Sequence, residues 1–163
     1  MKNNKRYYEN SIFISEAPQE VFDYVDDHVN FSSHMNKSSW MMGGGKMETR
    51  MDEGMGQKID SHIRMNGKVF GIELSLDEVI TEHESPFKKT WQTVGNPKLI
   101  IIGHYKMGLK IKPDGNNSII TVFINYDLPK SPVTHLLGIL FASIYAKWCV
   151  NQMITSVKTH FNK

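Results

Sequence analysis

The segment Ile12-Phe-Ile-Ser-Glu-Ala-Pro18-Gln-Glu20-Val-Phe22-Asp-Tyr-Val25 carries a strand straight into a helix. Ile12 and Ile14 alternate with their neighbours, the period of a half-buried strand. Pro18 then takes the first helical position, where its fixed φ is already helical and its missing N–H costs nothing. Glu20 lies beside the free N–H groups of the first turn, at the positive end of the helix dipole. Val21, Phe22 and Val25 share one face. This junction restricts the fold more than any other segment.

Working outward, Asp26-Asp27 put negative charge at the end of that helix where the dipole opposes it, so the helix should stop there. Asn30 is placed to cap a second short turn through Phe31 and His34 to Met35. Trp40-Met-Met-Gly43-Gly-Gly45 reads as a flexible loop. From Lys46 to Leu128 strands and turns dominate. Met47, Thr49 and Met51 alternate, and Ile59, Ser61, Ile63 and Met65 alternate up to Asn66-Gly67, a two-residue hairpin signal. Phe70, Ile72, Leu74 and Leu76 carry the next strand, and a shift of phase to Val79 and Thr81 predicts a bulge near Asp77-Glu78. After Ser85-Pro86, Phe87, Lys89, Trp91 and Thr93 form one face of another strand. Leu99 to Ile111 keeps period 2 through Tyr105 and Met107, and Ile120, Val122, Ile124 and Tyr126 form the last strand.

Ser131-Pro132 opens a second helix as Ala17-Pro18 opens the first, and helical spacing persists to about His160. The sequence therefore predicts one α+β domain over residues 1–163. A curved antiparallel sheet of about seven strands, with two short helices after the first strand, wraps on a long C-terminal helix.

Composition narrows the function classes. With 163 residues, 40% hydrophobic and 22% charged, the chain is long enough to bury a core or wall off a cavity. A net charge of +2 is too mild to imply nucleic acid. Cys149 is the sole cysteine, which excludes a disulfide within the chain and any multi-cysteine metal site. The start has no apolar signal segment. The apolar run Leu136–Val150, broken by Gly138, Ser143 and Lys147, reads as too short and interrupted to span a bilayer. A cytoplasmic protein is expected. Ten methionines, among them Met35, Met41, Met42, Met47, Met51, Met55 and Met65, fit irregular core filling or an adaptable pocket.

With this layout, the chain resembles the START-like (SRPBCC) superfamily with the helix-grip fold, and within it the bacterial polyketide cyclase/dehydrase and lipid-transport group. The resemblance rests on Ile14 to Val25, then Asn30-Phe31 with Met35 before a Trp. It continues in Glu82-His-Glu-Ser-Pro86 ahead of a Trp-bearing strand, and in Tyr145-Ala-Lys147-Trp148-Cys-Val-Asn-Gln152-Met153 through His160-Phe161. It implies a deep apolar cavity between sheet and helix that holds lipids, polyketides, quinones or similar molecules. It implies no shared catalytic motif. Plant hormone-binding relatives carry a longer glycine-rich loop where this chain has Glu53-Gly54-Met-Gly56, so a hormone-type ligand is not expected.

Gly43-Gly-Gly45-Lys46 leads into a strand and lacks the Gly-Lys-Ser/Thr ending, so it is no phosphate loop. The histidines show no metal-binding spacing, and Glu82-His83-Glu84 reads as a charge cluster at a strand end. Cys149 reads as a buried, inert thiol, and no metal or cofactor is expected. Alternation points Thr49, Ser61, Trp91, Thr93, Tyr105, Met107 and Tyr126 inward, and the helix adds Phe141, Ile144 and Trp148. These are the expected ligand contacts, apolar walls with a few orienting polar groups.

The expected function is binding or transport of a hydrophobic small molecule. A cyclase or dehydratase, with Tyr105 or Tyr126 polarising a carbonyl, is the alternative, although no carboxylate reads as inward to serve as base. A third reading is a protein-interaction module of the same fold, quinone- or ribosome-linked. The first turns of the long helix are apolar nearly all round, which fits a homodimer or membrane-surface contact through Leu136–Phe141, or cover from the two short helices.

Overall fold

The computed structural model describes residues 5–31 and 45–162. Strand β1 (Arg6–Ile14) leads into helix α1 (Pro18–Asp26) and the single turn α2 (His28–Phe31). Strands β2 (Lys46–Met51), β3 (His62–Val69), β4 (Ile72–Glu84), β5 (Lys88–Lys98), β6 (Tyr105–Asp114) and β7 (Asn117–Tyr126) follow, then helix α3 (Pro132–Phe161). The seven strands form one antiparallel sheet in the order β1-β7-β6-β5-β4-β3-β2. This is the helix-grip α+β architecture the sequence implied. Met35, Met41, Met42, the Gly43-Gly44 part of the loop and the expected turn beyond Phe31 lie outside the described residues.

The strand-to-helix junction forms as read, with Pro18 in the first turn of α1 and Val21, Phe22 and Val25 buried. Asp27 lies one residue before α2 and caps it: its Oδ1 accepts from the Val29 N–H at 3.0 Å. The turn that Asn30 is expected to cap lies outside the described residues.

Three strand boundaries differ from the sequence reading. Asn66-Gly67 lies inside the β3–β4 ladder, opposite Ser75 and Leu74, and the turn is Phe70-Gly71, both at positive φ (51° and 77°). Turning at Asn66 would remove Val69 from the inward row with Ile63 and Met65, and burial of that row sets the register. Ile59 sits in a turn whose ends Asp52 and Ser61 tie together at 2.6 Å, so β3 starts only at His62. The long run from Leu99 is a connection as far as His104, where Asp127 accepts from the Gly103 N–H at 2.9 Å and donates to the His104 carbonyl at 3.0 Å. Its period-2 pattern continues into β6 without belonging to it.

Helix α3 crosses the sheet with Gly138, Ala142, Ala146, Cys149 and Val150 inward. Gly138 passes so close to the Leu99–His104 connection that a Cβ would lie 2.8 Å from the Ile101 carbonyl oxygen. Asn10 of β1 donates to Asn151 at 2.9 Å, and the Tyr24 hydroxyl of α1 meets the Ser156 hydroxyl at 2.7 Å. Among the described residues the short helices thus cover the second half of α3 and leave its first turns bare. By length and composition α3 is apolar enough to cross a membrane, contrary to the reading of an interrupted run, because one lysine and two small residues do not offset so many large apolar ones. Its inner face nonetheless packs in this fold.

One buried ion pair fixes α1 to the sheet. Lys89 of β5 is fully buried, and its Nζ donates to both the carbonyl oxygen and Oδ1 of Asp26, each at 2.8 Å. The His83 ring meets the same carboxylate at 2.9 Å and lies edge-on to Phe22. The carboxylate that the helix dipole disfavours is thereby neutralised from the sheet side. Burial holds the Lys89 ammonium below its ordinary pKa, with Asp26 opposing that effect. Asp26→Ala would strand a buried cation and should cost about 3 kcal/mol in urea unfolding; adding Lys89→Met should recover most of that loss. Equal stability of Asp26→Ala and the parent would show that the pair does not hold the helix.

Candidate functional site

The inward face of β4 runs Leu76, Glu78, Ile80 without a break of phase. The pairing does shift between Ser75 and Asp77, where a bulge was expected, but the shift does not turn Val79 inward. Glu78 occupies the core position, opposite Ile63 in the β3–β4 ladder. The carboxylate absent from the sequence reading is therefore present, buried in the sheet's apolar face.

Three elements converge on it. Tyr105, the first residue of β6, donates its hydroxyl to Glu78 Oε1 in a short hydrogen bond. The Thr93 hydroxyl of β5 sets that tyrosine in place by accepting from its backbone N–H at 3.1 Å. His28 of α2, fully buried, brings Nε2 to 3.8 Å from Glu78 Oε2 and lies edge-on to Trp91 at 5.7 Å. The Lys89–Asp26 pair thus has a consequence for the site, because α2 follows directly on the helix end that it anchors.

Burial is the main cause of the carboxyl's altered acidity. Desolvation, with the neighbouring Asp77 charge adding to it, pushes Glu78 up to about 7, against the lowering effects of the Tyr105 hydroxyl and the Trp91 indole. Burial likewise raises the Tyr105 and Tyr145 hydroxyls well above their ordinary value and pushes the Cys149 thiol up to about 12. Cys149 and Tyr145, one turn apart on α3, share a hydrogen bond, so the thiol is no nucleophile. The arrangement is a carboxyl poised to exchange a proton near neutrality, with a phenol as its hydrogen-bonded partner.

This group faces a narrow apolar cavity of about 30 Å³, walled by Met65, Trp91 and Met107 from the sheet and Tyr145, Cys149 and Met153 from α3. That volume suits a water or two. A second cavity of about 60 Å³ adjoins it across Leu99, Ile102 and Tyr145 and reaches Val69 and Leu74 at the β3–β4 hairpin. Where the resemblance implies a deep cavity, the structure has two small chambers that share Leu99, Ile102 and Tyr145 as their common wall.

Of the residues expected to contact a ligand, Trp91, Tyr105 and Met107 line the first chamber. Thr93 is buried and bonded to the Tyr105 backbone. Ser61 is buried but clasps the Asp52–Ser61 turn. Tyr126 is buried with its hydroxyl bonded to Arg6, beyond the chamber. Thr49 is half-buried on β2, and Trp148 is half-buried against Tyr145. Phe141 and Ile144 face outward, 47% and 54% exposed. Helical spacing alone does not say which stripe faces in when nearly every position is apolar, and here the small residues do. Sequence reasoning missed Glu78, His28 and Tyr145. Keeping the Leu74–Leu76–Ile80 phase unbroken would have found Glu78.

The raised Glu78 pKa has a stability consequence of definite sign. In the unfolded chain the carboxyl titrates near 4.5, and in the fold near 7, so between these values the native state holds the extra proton. Its contribution is complete below about pH 4.5 and is lost as pH rises through about 7, a change of roughly 3 kcal/mol. Glu78→Gln removes the ionisation. In urea unfolding it should gain on the parent at about pH 8 relative to about pH 5; parallel pH profiles would clear Glu78 of this role.

No protein-family model and no curated protein matches the sequence. Solved structures match its fold over nearly the whole chain. Norcoclaurine synthase from Thalictrum flavum, in complex with dopamine and hydroxybenzaldehyde, is 10% identical with a TM-score of 0.64, covering 95% of this chain and 85% of its own. The di-domain ARO/CYC protein StfQ of the steffimycin biosynthetic pathway is 10% identical with a TM-score of 0.67, covering 97% of this chain and 51% of its own. Major latex-like protein 151 from Panax ginseng is 15% identical with a TM-score of 0.56, covering 98% of this chain and 99% of its own. At these identities the likeness is one of fold, the helix-grip α+β architecture described above.

Proposed function

We propose that this chain binds a small hydrophobic molecule with one hydrogen-bonding polar group between the sheet and α3. The observation that carries the reading is the Glu78–Tyr105 pair, buried at the wall of an otherwise apolar chamber. A carboxyl held neutral below about pH 7 donates a hydrogen bond; ionised, it accepts one. It therefore suits a carbonyl, a hydroxyl or an amine on the ligand. Admitting a molecule larger than water requires the two chambers to merge, through movement of the Tyr145 ring or the Leu99–Ile102 segment between them.

A second reading, acid–base catalysis of a cyclisation or dehydration, draws on the same pair. An inward carboxyl titrating near neutrality is the group such a reaction needs, and the Tyr105 hydroxyl is bonded to that carboxyl and not to backbone. The fold's neighbours include a synthase and an ARO/CYC protein.

Native mass spectrometry of the purified protein should show a retained small molecule. Glu78→Leu should lower the retained fraction about tenfold, the cost of one buried hydrogen bond to the ligand. A parent protein with no retained molecule and no saturable uptake of anilinonaphthalene sulfonate would sink the binding reading.

A further inference from the structure

We propose that the first three turns of α3, together with the tip of the β3–β4 hairpin, form a face that docks on an anionic lipid bilayer. Val133, Leu136, Leu140, Phe141 and Ile144 are all exposed on α3, and Val133 is 72% so. They lie on the side opposite Gly138, Ala142 and Ala146, which pack inward. At the hairpin, Phe70 is 83% exposed and Ile72 is also bare. The hairpin lies near this half of α3, because Val69 and Leu74 of the hairpin and Tyr145 of α3 line the same second chamber. Contiguous large apolar side chains on a surface mark a site that something covers.

Charge identifies the cover. From Leu128 to Lys163 the chain contains no aspartate or glutamate. Exposed Lys130 and Lys147 bracket the apolar turns, and exposed Lys98 flanks the Leu99–Ile102 segment; at the hairpin tip Lys68 is exposed, with Glu73 opposite it in the ladder. Apolar side chains ringed by lysines match the layering of an anionic membrane, with acyl chains beneath and negative headgroups at the rim. A second copy fits less well, since a twofold contact through α3 brings lysines together with no carboxylate to receive them. Spanning the bilayer would strip Gly138, Ala142, Ala146 and Cys149 out of the core, so the helix lies on the membrane. The docking stands apart from whatever occupies the chambers.

The test is flotation of the full chain with vesicles of phosphatidylcholine alone and of equal parts phosphatidylcholine and phosphatidylglycerol. The parent should float with the mixed vesicles and dissociate as salt rises. Leu136→Glu with Leu140→Glu should weaken flotation at least about tenfold while retaining the parent's thermal unfolding, because both side chains are exposed. Lys130→Glu with Lys147→Glu should weaken it on the mixed vesicles, which a purely apolar contact would not show. No flotation of the parent on the mixed vesicles, flotation untouched by the leucine pair, or a concentration-dependent dimer that the leucine pair breaks in the absence of lipid would each overturn the proposal.

Discussion

The buried contact between Lys89 and Asp26 is the constraint on which the inner architecture hangs. A lysine in the middle of an apolar sheet face is expensive unless a carboxylate meets it, and the end of α1 brings one. The pairing therefore dictates where α1 stops and how it lies on the sheet. It also sets the start of α2, and with it the position of His28 beside Glu78. A polar requirement in one strand thus places a polar group over another, with Trp91 and Phe31 sealing the space between them.

The two inward charges of this sheet are handled in opposite ways. Lys89 is kept charged by a carboxylate and a carbonyl at hydrogen-bond distance. Among the described residues Glu78 meets a histidine ring nitrogen at 3.8 Å, and burial moves its protonation toward neutral pH instead. The first solution builds structure. The second leaves a titrating group facing a chamber, a state that costs stability above neutrality and contributes nothing to packing that a leucine would not supply. An arrangement of that kind is expected where a site must recognise or move a proton.

Much of the fold is legible in the chain because its signals are local. Pro18 and Pro132 mark two helix starts, and alternation in β1, β3 and β7 gives their inward faces directly. What escaped had non-local causes. Asn66-Gly67 is a better turn sequence than Phe70-Gly71, yet the turn falls where inward burial of Val69 demands it. Glu78 is hidden in the sequence because apolar Val79 suggests a shift of phase, whereas the inward face runs on unbroken through Leu76, Glu78 and Ile80. Leu99 to Gly103 carried a strand's alternation while filling the gap under α3.

Helix α3 shows why its orientation was the hardest feature to read. A helix that only covers a sheet puts its large apolar residues inward and polar ones outward. Here the first turns do the reverse, with glycine and alanine against the sheet and leucine, isoleucine, phenylalanine and valine outside. The small residues have a packing reason, since at Gly138 even one Cβ would press on the backbone of the Leu99–His104 connection. The large ones are about half exposed or more among the described residues, so packing within the fold accounts for only part of their surface. The proposed bilayer contact would supply a reason for the rest, and the absence of any acidic residue along the same helix is what favours an anionic surface there.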